Sequence, residues 1–138
     1  IDAVVLGYYA GRGKRASFGI GAFLVGVYDK AKDRFETIAK VGTGLTDEEF
    51  KDLKKRCDKQ AVTSQPHNVL CAPELAPDVW VNPSIMVVIL ADEITQSPLH
   101  TAAKTTTHPG LALRFPRFMG YNVDKSPEQA TSVKELRR

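Results

Sequence analysis

Five or six strand-like segments, one strongly capped helix inserted after the third of them, and a second capped segment near the C-terminal end predict a mainly β chain. That order of elements suits a five- to six-stranded antiparallel barrel of the OB type, with one inserted helix and one C-terminal helix. With 138 residues, 43% of them hydrophobic, the chain suffices for a single domain over residues 1–138 and leaves little room for two. Fold alone does not fix function.

Residues 2–10 (DAVVLGYYA) are rich in Val, Leu and Tyr and read as the first strand. The following segment, GRGKRASFG, is a loop: its glycines let the backbone bend and approach a ligand closely, while Arg12, Lys14 and Arg15 fan out. It is either a solubilising hairpin loop or a contact for backbone phosphates; GxxxxGK[ST] is absent and no helix pattern follows, which excludes a Walker phosphate loop. Residues 21–29 and 34–41 form the second and third strands, joined by the turn Lys30-Ala31-Lys32-Asp33. Thr46 and Glu49 then make a capping box, acids fill the first helical turn and basic residues the last, and Phe50, Leu53 and Cys57 form the apolar stripe.

Residues 61–83 hold four prolines around short extended pieces, with Trp80 expected as a core anchor. Residues 84–95 (SIMVVILADEIT) have the β-branched run of a central strand buried on both faces. A polar loop ends in Pro109-Gly110, and Ser126, Pro127 and Gln129 begin the closing helix.

Between them, residues 111–118 (LALRFPRF) alternate as a half-buried strand, with Leu111, Leu113, Phe115 and Arg117 on one face and Ala112, Arg114, Pro116 and Phe118 on the other. Proline removes a ladder donor, so Pro116 belongs at an edge or a strand end, where the surrounding Arg and Phe side chains are either solvated or free to reach a partner.

The net charge of +3 is modest but unevenly spread. No Lys or Arg lies between Lys59 and Lys104, whereas seven basic residues against three acidic ones follow from Lys104 onward, and three against none lie between Tyr8 and Tyr28. Two basic flanks around an acidic middle suit a polyanion if the fold joins them. Cys57 and Cys71 lack zinc-site spacing, and His67, His100 and His108 are scattered, so no metal site is expected. No secretory or membrane-spanning run is present, which favours free thiols and an intracellular location with no membrane partner. The chain opens at Ile1 directly into a strand and so reads as a fragment.

Taken together, DAVVLGYYAGRGKRASFGIGAFLVGVYD, KVGTGLTDEEF, LALRFPRF and DKSPEQATS resemble, in order and spacing, the C-terminal OB-fold domain of ATP-dependent DNA ligases of the eukaryotic replicative and archaeal type. The resemblance covers nearly the whole chain. It implies a domain that closes over nicked duplex DNA, with an adenylation domain expected upstream in the same polypeptide. It assigns phosphate contacts to Arg12, Lys14 and Arg15, and strand contacts near the nick to Arg114 and Arg117. By the same resemblance, Phe115 presses into the minor groove and helps hold the duplex underwound.

The family's last motif, Arg-x-Asp-Lys, falls on residues 122–125. It would turn Asp124 and Lys125 towards the ATP site to orient the leaving pyrophosphate, but Asn122 stands where the family has arginine and supplies an amide donor without charge. Either adenylation is slowed or Arg117 substitutes; the DNA-clamping role is untouched. ATP and Mg2+ are implied for the intact enzyme, with none expected on this fragment. The family's nucleotidyl-accepting Lys-x-Asp-Gly is absent here, so the fragment alone is expected to be inactive. Two alternatives remain: a freestanding OB-fold nucleic-acid-binding protein, and the OB domain of an RNA ligase or capping nucleotidyltransferase.

Overall fold

In a computed structural model, which describes residues 1–11, 19–97, 102, 110–121 and 126–129, β1 (Asp2–Tyr9), β2 (Ala22–Asp29) and β3 (Arg34–Val41) form an antiparallel meander. The β2–β3 turn is closed by Asp33 in the left-handed region at φ 49°, with the Tyr28 hydroxyl donating to its carboxylate. β1 is buried on both faces. Ala3, Val5 and Tyr8 enter the barrel interior beside Phe23, Val25, Ile38 and Val41. Val4 and Leu6 face an outer cluster of Leu24, Phe35, Val69 and Met86. A register shift between Val5 and Gly7 returns Tyr8 to the inner face. Burial on both sides explains why this strand reads as a continuous apolar run rather than an alternation.

The outer cluster is covered by the proline-rich stretch. It contributes β4 (Ala61–Val62), β5 (Val69–Leu70), a 3-10 turn at Pro73–Leu75 and β6 (Val79–Val81). β5 pairs parallel with β3, while β6 pairs with β1 and β4. Trp80 is half-buried against this cluster, as an anchor for the cover. α1 (Asp47–Lys59) begins where predicted: the Thr46 hydroxyl accepts from the Glu49 amide at 3.2 Å, and Glu49 Oε1 accepts from the Thr46 amide at 3.0 Å. Its Phe50, Leu53 and Cys57 enter the interior cluster.

Two predicted strands are each divided in two, which corrects the sequence reading. Residues 84–95 become β7 (Met86–Leu90) and β8 (Glu93–Ser97), and residues 111–118 contribute to β9 (Gly110–Arg114) and β10 (Arg117–Tyr121). β7 pairs with β10 in the main sheet, whose order is β10-β7-β1-β2-β3-β5, and β8 pairs with β9 in a separate ribbon. Leu90 lies opposite Arg117 and Glu93 opposite Arg114, so both strands break at the same level. Ala91-Asp92 turns opposite Phe115-Pro116. The break upsets the expected single alternation: Ala112 and Leu113 are both buried, and Leu90 is exposed rather than part of a two-face core. With the short pieces included, the described residues hold ten strands instead of five or six.

Among the described residues, Ala102 links β3 to β9. The amide of Ala102, itself fully buried, donates to Thr37 O of β3 at 2.9 Å, and its carbonyl accepts from Leu111 N of β9 at 2.8 Å. Inside, Phe118 meets Phe23 edge-on at 6.2 Å and Tyr121 at 5.3 Å. Of the expected C-terminal helix, a 3-10 turn at Pro127–Gln129 is described, and the Ser126 amide donates to Gln129 Oε1 at 2.9 Å as a capping box requires. Residues 130–138 lie outside the described residues.

The β1–β2 loop is fastened at both stems. Ala10 N donates to Asp78 Oδ2 at 2.6 Å and Gly21 N to Tyr9 O at 3.0 Å. Gly19, at φ 73°, lies on the Lys54 stem, where a Cβ would come within 2.4 Å of Cε. Lys54 is bonded to Asp58 at 2.6 Å, and the Tyr8 hydroxyl donates to the same carboxylate at 2.7 Å. Partial burial opposes the charge on Asp58, but the hydrogen bonds from Lys54 and Tyr8 outweigh it and hold the carboxyl below its ordinary value.

Two predictions follow from the packing. Phe118→Ala, at a site 2% exposed, is expected to cost about 3–5 kcal/mol in urea denaturation, whereas Phe115→Ala, 66% exposed, stays within about 0.5 kcal/mol; similar losses would contradict the division into anchor and projection. Because Asp58 titrates lower in the folded chain, its contribution is present above the unfolded carboxyl pKa and disappears as pH falls through the folded one. The stability gap between the parent chain and Asp58→Asn is therefore expected at neutral pH and shrinks below about pH 4; a gap that is constant with pH would contradict it.

Candidate nucleic-acid interface

The corner between β9 and β10 places Arg114, Phe115, Pro116 and Arg117 on a projecting turn. Pro116 has no amide hydrogen, so the ladder ends there without a buried unpaired donor. Phe115 has φ 52°. A bulky residue in the left-handed region costs roughly 1–3 kcal/mol and persists only where surrounding contacts impose it. Those contacts come from residues 42–44. The Thr43 hydroxyl donates to Pro116 O at 2.8 Å, and Phe118 N donates to Thr43 O at 2.9 Å. Gly44, at φ 90°, lies so close beneath β10 that a Cβ would come within 2.5 Å of Phe118 O. Only glycine fits there.

Held in this way, Phe115 leaves 66% of its surface to solvent, while Phe118, three residues on, is buried. The Arg114 guanidinium lies 5.1 Å over the Phe115 ring and bonds Glu93 Oε1 at 2.6 Å across the ribbon. Both partners are exposed, so this pair contributes at most about 1 kcal/mol and yields readily to a phosphate. Arg117 is exposed opposite Leu90 and, among the described residues, has no carboxylate within ion-pair distance.

A groove of about 550 Å³ runs beside the corner, lined by Lys40, Thr43, Leu90, Asp92, Phe115 and Arg117. A second hollow, which shares Lys40, Gly42 and Thr43 with the first, is lined by Tyr9, Ala10 and Gly21, the stems of the β1–β2 loop. Lys40 borders both hollows and sits 4.2 Å over the Tyr9 ring. The fold thus brings the root of the first basic flank and the RFPR corner to neighbouring hollows that meet at Lys40 and Thr43. The hollows are not uniformly basic, since Asp92, Glu74 and Asp78 also border them; Asp78 is engaged by the Ala10 amide.

Of the residues singled out in the sequence, Arg114, Phe115 and Arg117 gather at the corner. Arg12, Lys14, Arg15, Asn122, Asp124 and Lys125 lie outside the described residues. The strand before the last motif ends at Tyr121, whose ring lies 4.1 Å beneath the Arg56 guanidinium. Sequence reasoning missed Lys40, Thr43 and Gly44. For Thr43 and Gly44 the signal was the Gly-Thr-Gly between a strand and a capped helix, which reads locally as a turn; Lys40 is a lysine within β3 with no local signal. Both cysteines are free thiols; burial and the neighbouring Asp58 push Cys57 up to about 12, and burial and Glu74 push Cys71 up to about 11, which makes both unreactive near neutral pH. Among the described residues no helix is long and apolar enough to cross a membrane.

Residues 16–125 match the family model described as the ATP dependent DNA ligase C terminal region. The chain is 53% identical over 137 residues to a probable DNA ligase of Dictyoglomus turgidum, covering 99% of this chain and 23% of that protein. A DNA ligase of Pyrobaculum islandicum is 47% identical over 140 residues, again with 99% and 23% covered. The chain therefore spans about a quarter of the length of these relatives. Among solved structures, the ligase domain of LigD from M. tuberculosis superposes with a TM-score of 0.65 at 21% identity, over 94% of this chain and 36% of that one. That likeness supports the OB-type barrel as a fold. By its sequence match, the chain belongs to the family of C-terminal regions of ATP-dependent DNA ligases.

Proposed function

We propose that this chain is the DNA-clamping domain of an ATP-dependent ligase that seals nicks in duplex DNA. An adenylation domain upstream in the same polypeptide supplies the reactive lysine in this reading. The reaction has three steps: the lysine takes AMP from ATP, AMP passes to the 5′-phosphate at the nick, and the 3′-hydroxyl displaces AMP. ATP and Mg2+ belong to the intact enzyme, which acts inside the cell. Asp124 and Lys125, with Asn122 in place of the family's arginine, are assigned to orienting pyrophosphate during the first step.

The observation that carries the DNA-clamping role is Phe115: an exposed aromatic held at a positive φ between two arginines, on a corner that a neighbouring loop braces. An apolar wedge of this kind suits a widened minor groove, where added contact offsets the deformation of the duplex. Arg114 and Arg117 then contact the strands on either side of the wedge, Arg12, Lys14 and Arg15 follow the phosphate backbone, and Lys40 joins them from where the two hollows meet. The wedge and clamp leave chemistry to the upstream domain. A freestanding binding module lacks support from relatives four times its length, and the family match distinguishes the chain from RNA ligases and capping enzymes.

Phe115→Ala in the whole ligase is expected to impair nick sealing more than ATP-dependent self-adenylation; equal losses would contradict the wedge. Arg117→Ala and Lys40→Ala are each expected to weaken duplex binding irrespective of base sequence and to reduce the slope of log K against log salt by about one. Titrations at several salt concentrations check this, and an unchanged slope removes that residue from the phosphate contacts.

A further inference from the structure

The corner that carries Phe115 is braced from outside its own ribbon. Pro116 removes the amide that could have continued the ladder, and the φ of 52° at Phe115 is unfavourable for an aromatic residue. On the β9 side, Asp92 N donates to Arg114 O at 2.9 Å and the Arg114 guanidinium lies over the Phe115 ring, but neither bonds the Pro116 peptide that follows it. The loop after β3 does. Thr43 holds the chain on both sides of the corner's exit: its side-chain hydroxyl donates to Pro116 O at 2.8 Å, and its carbonyl accepts from Phe118 N at 2.9 Å. Gly44 closes the approach, and its missing side chain is what lets the loop come close enough for both bonds.

We propose that Thr43 is the positioning residue of Phe115: its hydroxyl holds the Pro116 peptide so that the ring projects as a preformed wedge for the nicked duplex. The inference rests on the reading of Phe115 as that wedge. Without the hydroxyl, the Phe118–Thr43 backbone bond still ties β10 to the loop, so the barrel closes as before. With the 116–117 peptide no longer held at Pro116 O, Phe115 is free to relax towards ordinary negative φ, which swings the ring away. Binding the duplex must then restore the strained corner at the expense of affinity, because a conformation that is only fractionally populated lowers the apparent affinity by that fraction.

The test measures single-turnover sealing of a nicked duplex already carrying 5′-AMP, across a range of DNA concentrations, by the whole ligase. Thr43→Val, which preserves shape and removes the hydroxyl, is expected to raise the DNA concentration for half-maximal rate by about three- to ten-fold, the effect of one hydrogen bond. Thr43→Ser is expected to restore it. Should Thr43→Val fail to fold, as judged by its thermal transition, Thr43→Ala removes the same hydroxyl without the added methyl. The deciding variant combines Thr43→Val with Phe115→Ala. If Thr43 acts through the ring, the double variant is no worse than Phe115→Ala alone; additive losses would overturn the proposal by showing that Thr43 acts on the DNA or the barrel independently. Wild-type behaviour of Thr43→Val beside an impaired Phe115→Ala would overturn it while leaving the wedge intact. A Phe115→Ala enzyme that seals normally would instead overturn the wedge reading itself, and this proposal with it.

Discussion

A long antiparallel ribbon, residues 86–97 against 110–121, turns a corner in both strands at one level, and the placement of the exposed Phe115 and its flanking arginines depends on that corner. The inner half of the ribbon belongs to the barrel: Ile89 and Phe118 are buried, and Phe118 packs against Phe23. The outer half leaves the main sheet as β8 and β9. Where the two halves meet, hydrogen bonding across the strands must lapse, and the chain satisfies it in three ways. Pro116 has no donor to lose, Asp92 N reaches Arg114 O at 2.9 Å, and Thr43 takes up Pro116 O and Phe118 N. The side chain that the corner cannot bury, Phe115, becomes the exposed feature.

Such a projection is useful only on a rigid base, and the burial of β1 on both faces provides one. Apolar layers on either side of the same strand tie the inner barrel to the 61–83 cover. Asp78, at the end of that cover, fastens Ala10, while α1 fastens Gly19 through Lys54. The cover and the helix therefore both serve the stems of the basic loop. Lys40, near the end of β3, borders both the loop stems and the corner.

The parts that were legible in the sequence are those whose causes are local. The capping box at Thr46 and Glu49, the apolar stripe of α1 and the β2–β3 turn depend on residues within a few positions, and they fall where the pattern places them. The family resemblance was equally legible, because it rests on four motifs in order. The corner was not. Alternation across residues 111–118 runs smoothly through Phe115, and only Pro116 marks the break; the residue that bonds the corner at Pro116 O, Thr43, lies about seventy residues earlier in the chain. Likewise, residues 84–95 read as one central strand because apolar content reports burial rather than the level at which a partner strand turns away. Ala102, which links β3 to β9 with two backbone bonds, carries no side-chain signal at all.

The most direct test of the account is where Phe115 sits on DNA. Replacing it with the photo-crosslinker p-benzoylphenylalanine in the whole ligase and mapping the adducts at nucleotide resolution on a nicked duplex locates the ring. The account predicts adducts on the minor-groove sugars flanking the nick, with few on an intact duplex of the same sequence. Adducts spread evenly along both duplexes, or confined to sites away from the nick, would contradict it.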